Sequence, residues 1–358
     1  MQIYERDRFA ADELAVVLSH YDLGVIESIT EFARGSRRSP KVGIVAARGK
    51  FLLKRRAPAR SGTARVEFAH RLQIHLAAQQ FPLPKLIRPL DSAETALTLG
   101  EYVYELFEFV GGQPFHGAPD ETRDAGHVLA RFHELARQFE PPPDHPRGDY
   151  HDALTVRTGL NAMPATLNAN PSTAPPGSAP ADRGAPAETA VKQLTELLFD
   201  AYDQAGEAAD SLGLPNWPEQ VIHSDWHPGN MLFRGGEVAA VIDYDSARIS
   251  RRIIDIANGA LQFSMLSGSH PDAWPAQLDE PRLTAFVAGY ERRGALTETE
   301  LRSLPHLMIE ALIAESVVPI AATGVFGRFK GFGFMQMVQR KVAWLQQHGA
   351  RLVHILRE

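Results

Sequence analysis

The stretch VIHSDWHPGNMLFRGGEVAAVIDYDSARIS, residues 221–250, constrains the fold more than any other part of the chain. QVIH is a short apolar strand and HPGN a Pro-Gly turn. MLFR and EVAAVID are two strands joined at Gly235-Gly236, the tight turn of a β-hairpin. Asp225 and Asn230 therefore sit on a loop held by a hairpin. Asp243 sits at the end of the hairpin's second strand. Loops fixed by rigid elements are where catalytic groups are usually carried.

Two chemistries fit these residues. In one, His223, Asp225 and His227, with Asp243 or Asp245, ligate zinc or manganese in a metallohydrolase. In the other, Asp225-x4-Asn230 is the catalytic loop of a phosphotransferase. Phosphoryl transfer to a hydroxyl needs a carboxylate that orients the nucleophile and takes its proton. It also needs hard oxygen ligands for magnesium, which an Asn amide and an Asp carboxylate supply. The metallohydrolase reading leaves Asn230 without a role and has no second His pair at comparable spacing. A catalytically silent kinase-like binding protein is the third alternative. It is disfavoured because Lys54, Asp225, Asn230 and Asp243 are all present.

The rest of the chain supplies context. Its 358 residues are 44% hydrophobic and 22% charged, and there is no cysteine. Disulfides, Cys-zinc sites and thiol nucleophiles are excluded. A net charge of −6 speaks against nucleic-acid binding. From Phe32 to Val66 there are eleven Arg and Lys and no acid, which leaves the remainder at −17. A basic segment opposed to an acidic body suits an anionic ligand; a solvated basic face is the plainer account. The N-terminus has no signal-peptide h-region. The apolar ALIAESVVPIAATGVFG carries Glu315 and Pro319 and reads as buried helix and turn. A cytoplasmic protein with no membrane partner is expected.

Along the chain, 11–20 reads as a short helix. VIESITEFA (25–33), KVGIVAA (41–47) and FLLKRR (51–56) read as an antiparallel meander. Residues 63–80 have helical spacing, and 97–110 holds two more strands. GGQPF (111–115) marks a lobe boundary, giving lobes 1–109 and 110–358. Residues 120–139 form an amphipathic helix. Residues 168–188, rich in Pro, Ala, Gly and Ser, read as a flexible insertion. After Asp255 the chain is mostly helical.

HSDWHPGN, VIDYDSA, FLLKRR and ARFHELA, in that combination, resemble the aminoglycoside phosphotransferase and choline kinase superfamily. DELAVVLSHYDLGVIESI and FVAGYERRGALTETEL look more specifically like homoserine-kinase-type and spore-coat-kinase-like members. The resemblance implies an α+β, bilobal, protein-kinase-like fold, with an N-terminal antiparallel sheet plus helix and a mainly helical C-terminal lobe. It implies ATP and magnesium as cofactors, and transfer of the γ-phosphate to a hydroxyl of a small polar metabolite such as an amino alcohol, homoserine, a sugar or an aminoglycoside. By the same likeness Asp225 is the catalytic base, and Asn230 and Asp243 hold metal. Lys54 contacts the nucleotide phosphates with Glu67 as its helix-borne partner. Glu105 to Val110 form the interlobe hinge, with Glu108 and Val110 placed to read adenine. Asp245 and Asp255 support the site, and His223 braces the loop. RGSRRSPK (34–41) departs from the family pattern, having one glycine where a phosphate loop has several; Arg37, Arg38 and Lys41 are the compensating charges. His133 reads as a buried hydrogen-bonded residue and His227 as a structural or substrate-side one. Glu310 and Glu315 suit either a polar pocket or a helix surface.

Overall fold

Alternation of apolar and polar residues builds the first sheet. The computed structural model describes residues 7–32, 38–56, 63–169 and 188–357. Arg37 and residues 170–187 of the expected insertion lie outside them. Strands β1 (Ile26–Glu31), β2 (Lys41–Ala46) and β3 (Gly49–Arg55) form the antiparallel meander. β6 (Tyr102–Glu108) follows β3 in the sheet, and β4 (Leu86–Ile87) and β5 (Leu97–Leu99) both pair with β6. Val42, Ile44, Phe51, Leu53, Tyr104 and Leu106 form one face, which packs with Val17 and Leu18 of helix α1 (Ala11–Ser19). The other face carries Lys41, Leu52, Lys54 and Glu105, because directly opposed residues project to the same side. Helix α2 (Thr63–Ala78) packs against the turn Tyr244–Ser246.

Together with 135–146 and 229–247, residues 1–115 make up one compact unit. The hairpin of β8 (Met231–Arg234) and β9 (Glu237–Val241) thus belongs with the N-terminal sheet, although it falls within 110–358. It is held there by paired bonds between Gln113 and Phe233, 2.8 Å each way, and by Val241 N–H to the Pro82 carbonyl at 2.9 Å. Gly235 and Gly236, with φ of 62° and 86°, supply the left-handed turn that only glycine adopts without strain.

The second unit is mainly helical. Its elements are α3 (Pro119–Ala136, except its last two residues), α4 (Leu154–Ala169), α5 (Glu188–Ser211), α6 (Arg252–Ser264), α7 (Glu280–Glu291), α8 (Glu298–Thr323) and α9 (Gly331–Ile355). A short ribbon pairs β7 (Glu219–Ile222) with β10 (Arg248–Arg251), and β11 (Val325–Phe326) with β12 (Phe329–Lys330) closes a small hairpin. α8 is the axis, packing on α4, α5, α6 and α9. It is long and apolar enough to cross a membrane, yet 72% of its apolar window is buried in protein. Its start is set by a capping box between Thr297 and Glu300, and its end by Gly324 in the left-handed conformation. α3 and α7 cross at Gly126 and Gly289, where a methyl on either would overlap a carbonyl of the facing helix.

Candidate functional site

In the first unit the site is built around Lys54. It lies directly opposite Glu105 of β6, and its Nζ is 3.5 Å from Glu105 Oε2 and 3.3 Å from Asp245 Oδ2. Arg56 spans the same two carboxylates, reaching Asp245 Oδ1 at 2.5 Å and bonding Glu105 Oε1. His70 of α2 joins Glu105 Oε1 at 2.6 Å and Thr95 Oγ1 at 2.6 Å. Burial alone would raise the Glu105 carboxyl, but Lys54, His70 and Arg56 hold it well below the usual carboxylate range. Burial likewise opposes the charge on Lys54, and Glu105 and Asp245 outweigh it, raising its pKa. Asp245 is lowered: burial acts against the charge, and Lys54 and Arg56 prevail. Each shift favours the charged form of its group, so Lys54, Arg56, Glu105 and Asp245 form an ionised network of two cations and two carboxylates.

Glu67 is not in that network. It is exposed on α2 and pairs with Arg71, 3.5 Å away on the same helix. This corrects the expected Lys54–Glu67 pair: the partner carboxylate comes from the neighbouring strand, and the α2 contribution comes from His70, one turn beyond Glu67. Glu105 likewise leaves the expected hinge, since it is buried within β6. Glu108 closes β6 opposite Phe51, its N–H bonded to the Lys85 carbonyl at 2.8 Å; Val110 lies just past the strand. A signal for Glu105 was present in the sequence: it is the one acid inside the apolar run VYELF.

Asn230 and Asp243 flank the open end of the hairpin. Met231 pairs with Val241, and Ile242 N–H bonds the Asn230 carbonyl at 2.9 Å. Asp243 then takes φ 65°, a left-handed conformation uncommon for a residue with a side chain. This bend ends the strand and starts the turn that delivers Asp245 to Lys54. Asn230 is buried. An amide and a carboxylate are hard oxygen donors, the set magnesium takes when phosphates and water complete its shell. The residues present fit that ion.

In the second unit, Asp255 organises the loop that carries Asp225. Asp255 lies in the first turn of α6, fully buried, and accepts the backbone N–H of His223 at 2.6 Å and of Ser224 at 2.7 Å. His133 Nε2 is 3.2 Å from the same carboxylate, and its Nδ1 is 2.9 Å from the Tyr290 hydroxyl. Ser224 takes φ 64°, so the loop turns sharply immediately before Asp225. The His223 ring is buried edge-on between Phe132 and Trp226. Asp225 and His227 are partly exposed, with His227 Nε2 3.5 Å from Asp225 Oδ1. Glu315 of α8 is exposed at the surface, yet desolvation by the protein packed around its carboxyl, and then the charge of Asp225, push it up to about 7. Gln262 and Asn258 of α6 donate to it. Glu310 is buried and pairs with His151 at 2.9 Å. Among the described residues no group of three or more His, Cys, Asp or Glu is placed to hold a metal ion. The metallohydrolase reading therefore lacks its ligand set.

Comparison with known proteins adds three findings. The family described as Phosphotransferase enzyme family matches residues 28–302. A homoserine kinase of Hyphomonas neptunium is 24% identical over 299 residues, covering 83% of this chain and 82% of its own. Among solved structures, a microcompartment-associated aminopropanol kinase superposes with a TM-score of 0.68 at 16% identity, covering 96% of this chain and 98% of its own. Amicoumacin kinase hAmiN in complex with AMP-PNP, Ca2+ and Ami superposes at 0.66 and 13% identity, covering 95% of this chain and 94% of its own. These structural likenesses establish a mixed α+β, kinase-like fold.

Proposed function

Because the chain belongs to the phosphotransferase enzyme family and is a kinase acting on a hydroxyl acceptor, we propose that it moves the γ-phosphate of ATP to a hydroxyl of a small polar metabolite. The observation that carries the nucleotide half of this reading is Lys54, half-buried and fixed between Glu105 and Asp245, the latter two residues from Asp243. A lysine immobilised as a cation by two carboxylates is already oriented to meet phosphate oxygens, so little reorganisation is needed on binding.

Each residue then has a stated task. The Asp225 carboxylate accepts a hydrogen bond from the acceptor hydroxyl and takes its proton as the new O–P bond forms. The bond between the γ-phosphorus and the bridging oxygen breaks, and ADP leaves with that oxygen. Asp255 positions Asp225 through the amides of His223 and Ser224. Asn230 and Asp243 would hold magnesium, which when bound neutralises charge on the phosphates. Catalysis is mostly positioning and charge compensation.

The acceptor is sought among the chemistries named for relatives: homoserine, aminopropanol and aminoglycosides, with choline, ethanolamine and simple sugars beside them. The test is ADP release by the purified protein with Mg-ATP and each acceptor in turn. At least one should stimulate release, and Asp225→Asn should lower that rate roughly 10²–10⁴-fold. An Asp225→Asn protein as fast as wild type removes the base assignment. Nucleotide binding without any stimulated release would instead indicate a silent binding protein.

A further inference from the structure

The face of the first sheet that carries Lys54 also carries Lys41. Lys41 is the first residue of β2 and stands directly opposite Lys54, which in turn stands opposite Glu105. The row Lys41–Lys54–Glu105 thus crosses three strands on one side. Directly opposed residues on one face have Cβ atoms about 5 Å apart, and like charges so placed are destabilising.

The network around Lys54 does not relieve this. Lys54 and Arg56 are matched by Glu105 and Asp245, two cations by two carboxylates. Lys41 makes no ion pair with a described carboxylate; Asp243, Asp245 and Glu105 act on it only from farther off. It is also half-buried, and burial and the charge of Lys54 both act against its ammonium. An unmatched lysine held beside a matched one, on the face toward Asp243, is an arrangement that costs stability in the free protein. A ligand with negative charge on adjacent oxygens removes the cost.

We propose that Lys41 is a second phosphate-binding lysine, which grips the nucleotide triphosphate together with Lys54 and takes over part of the work of a glycine-rich phosphate loop. This rests on the ATP reading above. Lys41 needs no glycine-loop backbone amides to act, because a flexible ammonium on the first residue of a strand reaches phosphate as a point charge.

Lys41→Met tests it, with Lys41→Arg as the charge-conserving control. Binding of AMP-PNP and of adenosine is measured by calorimetry, together with the KM for Mg-ATP and for the best acceptor. Lys41→Met should weaken AMP-PNP roughly ten- to a hundredfold, the scale of a lost charge-assisted hydrogen bond. Adenosine affinity and the acceptor KM should hold, and Lys41→Arg should recover most of the loss. Without nucleotide, the Met variant should melt at or above the wild-type temperature, since a like-charge opposition is gone. Equal loss of adenosine and AMP-PNP, or a lower melting temperature, would show a structural residue instead. Wild-type ATP use with unchanged AMP-PNP binding by Lys41→Met overturns the proposal and leaves the phosphotransferase reading intact. Failure of the wild-type protein to bind AMP-PNP overturns both.

Discussion

Lys54 and Glu105 face each other across the β3–β6 pair, and Glu105 is at the same time the acceptor for Arg56 and His70. One buried carboxylate thus accepts hydrogen bonds from Arg56 and His70 and forms an ion pair with Lys54. Removing it leaves Lys54 and Arg56 in a low-dielectric site with only Asp245 to share. Glu105→Ala should cost about 3–5 kcal/mol, the scale for breaking a buried ion pair from one side. Chemical denaturation measures it. Glu67→Ala, by contrast, removes an exposed i,i+4 pair and should stay within about 0.5 kcal/mol of wild type, with unchanged KM for Mg-ATP. Equal effects from the two substitutions would contradict the network described.

Asp255 gives a second prediction. Its carboxylate accepts two successive backbone amides, and Ser224, one of the two residues it holds, is in a left-handed conformation. Asp255→Asn keeps the shape but faces an NH2 group toward one of those amides. The expected loss is about 1–3 kcal/mol of stability, the cost of an unsatisfied buried donor. Because the loop carries Asp225, kcat should fall while the KM for Mg-ATP is kept. Hydrogen exchange at His223 and Ser224 should quicken. Protection at those amides equal to wild type would show that another group holds the loop.

The parts of the site that were legible in the sequence are those fixed locally. The hairpin, its Gly-Gly turn and the positions of Asn230 and Asp243 follow from alternation and turn chemistry within about twenty residues. Pairing between distant segments is different. Glu105 meets Lys54 because β6, fifty residues on, inserts beside β3 in one register, and nothing local states that register. Glu67 has the right residue type on the right helix, yet α2 presents His70 to the network. A shift of three residues along a helix moves a side chain about one turn, and helical periodicity alone does not say which turn faces the sheet. The short strands β4, β10, β11 and β12 were also invisible, since two to four residues carry too little pattern.

The hairpin mouth leads to a third prediction, about the metal. The bond from Ile242 N–H to the Asn230 carbonyl brings Asn230 close to Asp243, so in the proposed site loss of either leaves a single protein oxygen for magnesium. Asp243→Asn removes the charge and should raise the magnesium concentration for half-maximal rate more than Asn230→Ala, which removes a neutral amide. A magnesium titration at fixed, saturating ATP distinguishes them. Both substitutions should leave adenosine affinity unchanged, because neither touches a base-binding group. An Asp243→Asn protein with the wild-type magnesium requirement would remove this residue from the proposed metal site.

Glu315 supplies a pH-dependent prediction. Its carboxyl is raised to about 7 by desolvation from the surrounding protein first and by Asp225 second. A raised pKa means that the folded state binds the proton more tightly than the unfolded chain does. The resulting stabilisation is fully present below the ordinary carboxylate pKa and is lost as the pH rises through about 7. Glu315→Gln cannot ionise, so it keeps a neutral, hydrogen-bonding side chain at every pH. Its melting temperature relative to wild type should therefore be constant below about pH 4, rise between about pH 4 and 8, and level off above that. Partial exposure of the group reduces the size of the effect but not its sign. Comparing the two proteins cancels every other titration they share. A difference that stays flat across this range would mean that Glu315 ionises as freely in the folded protein as in the unfolded chain, and that Asp225 exerts no measurable field on it.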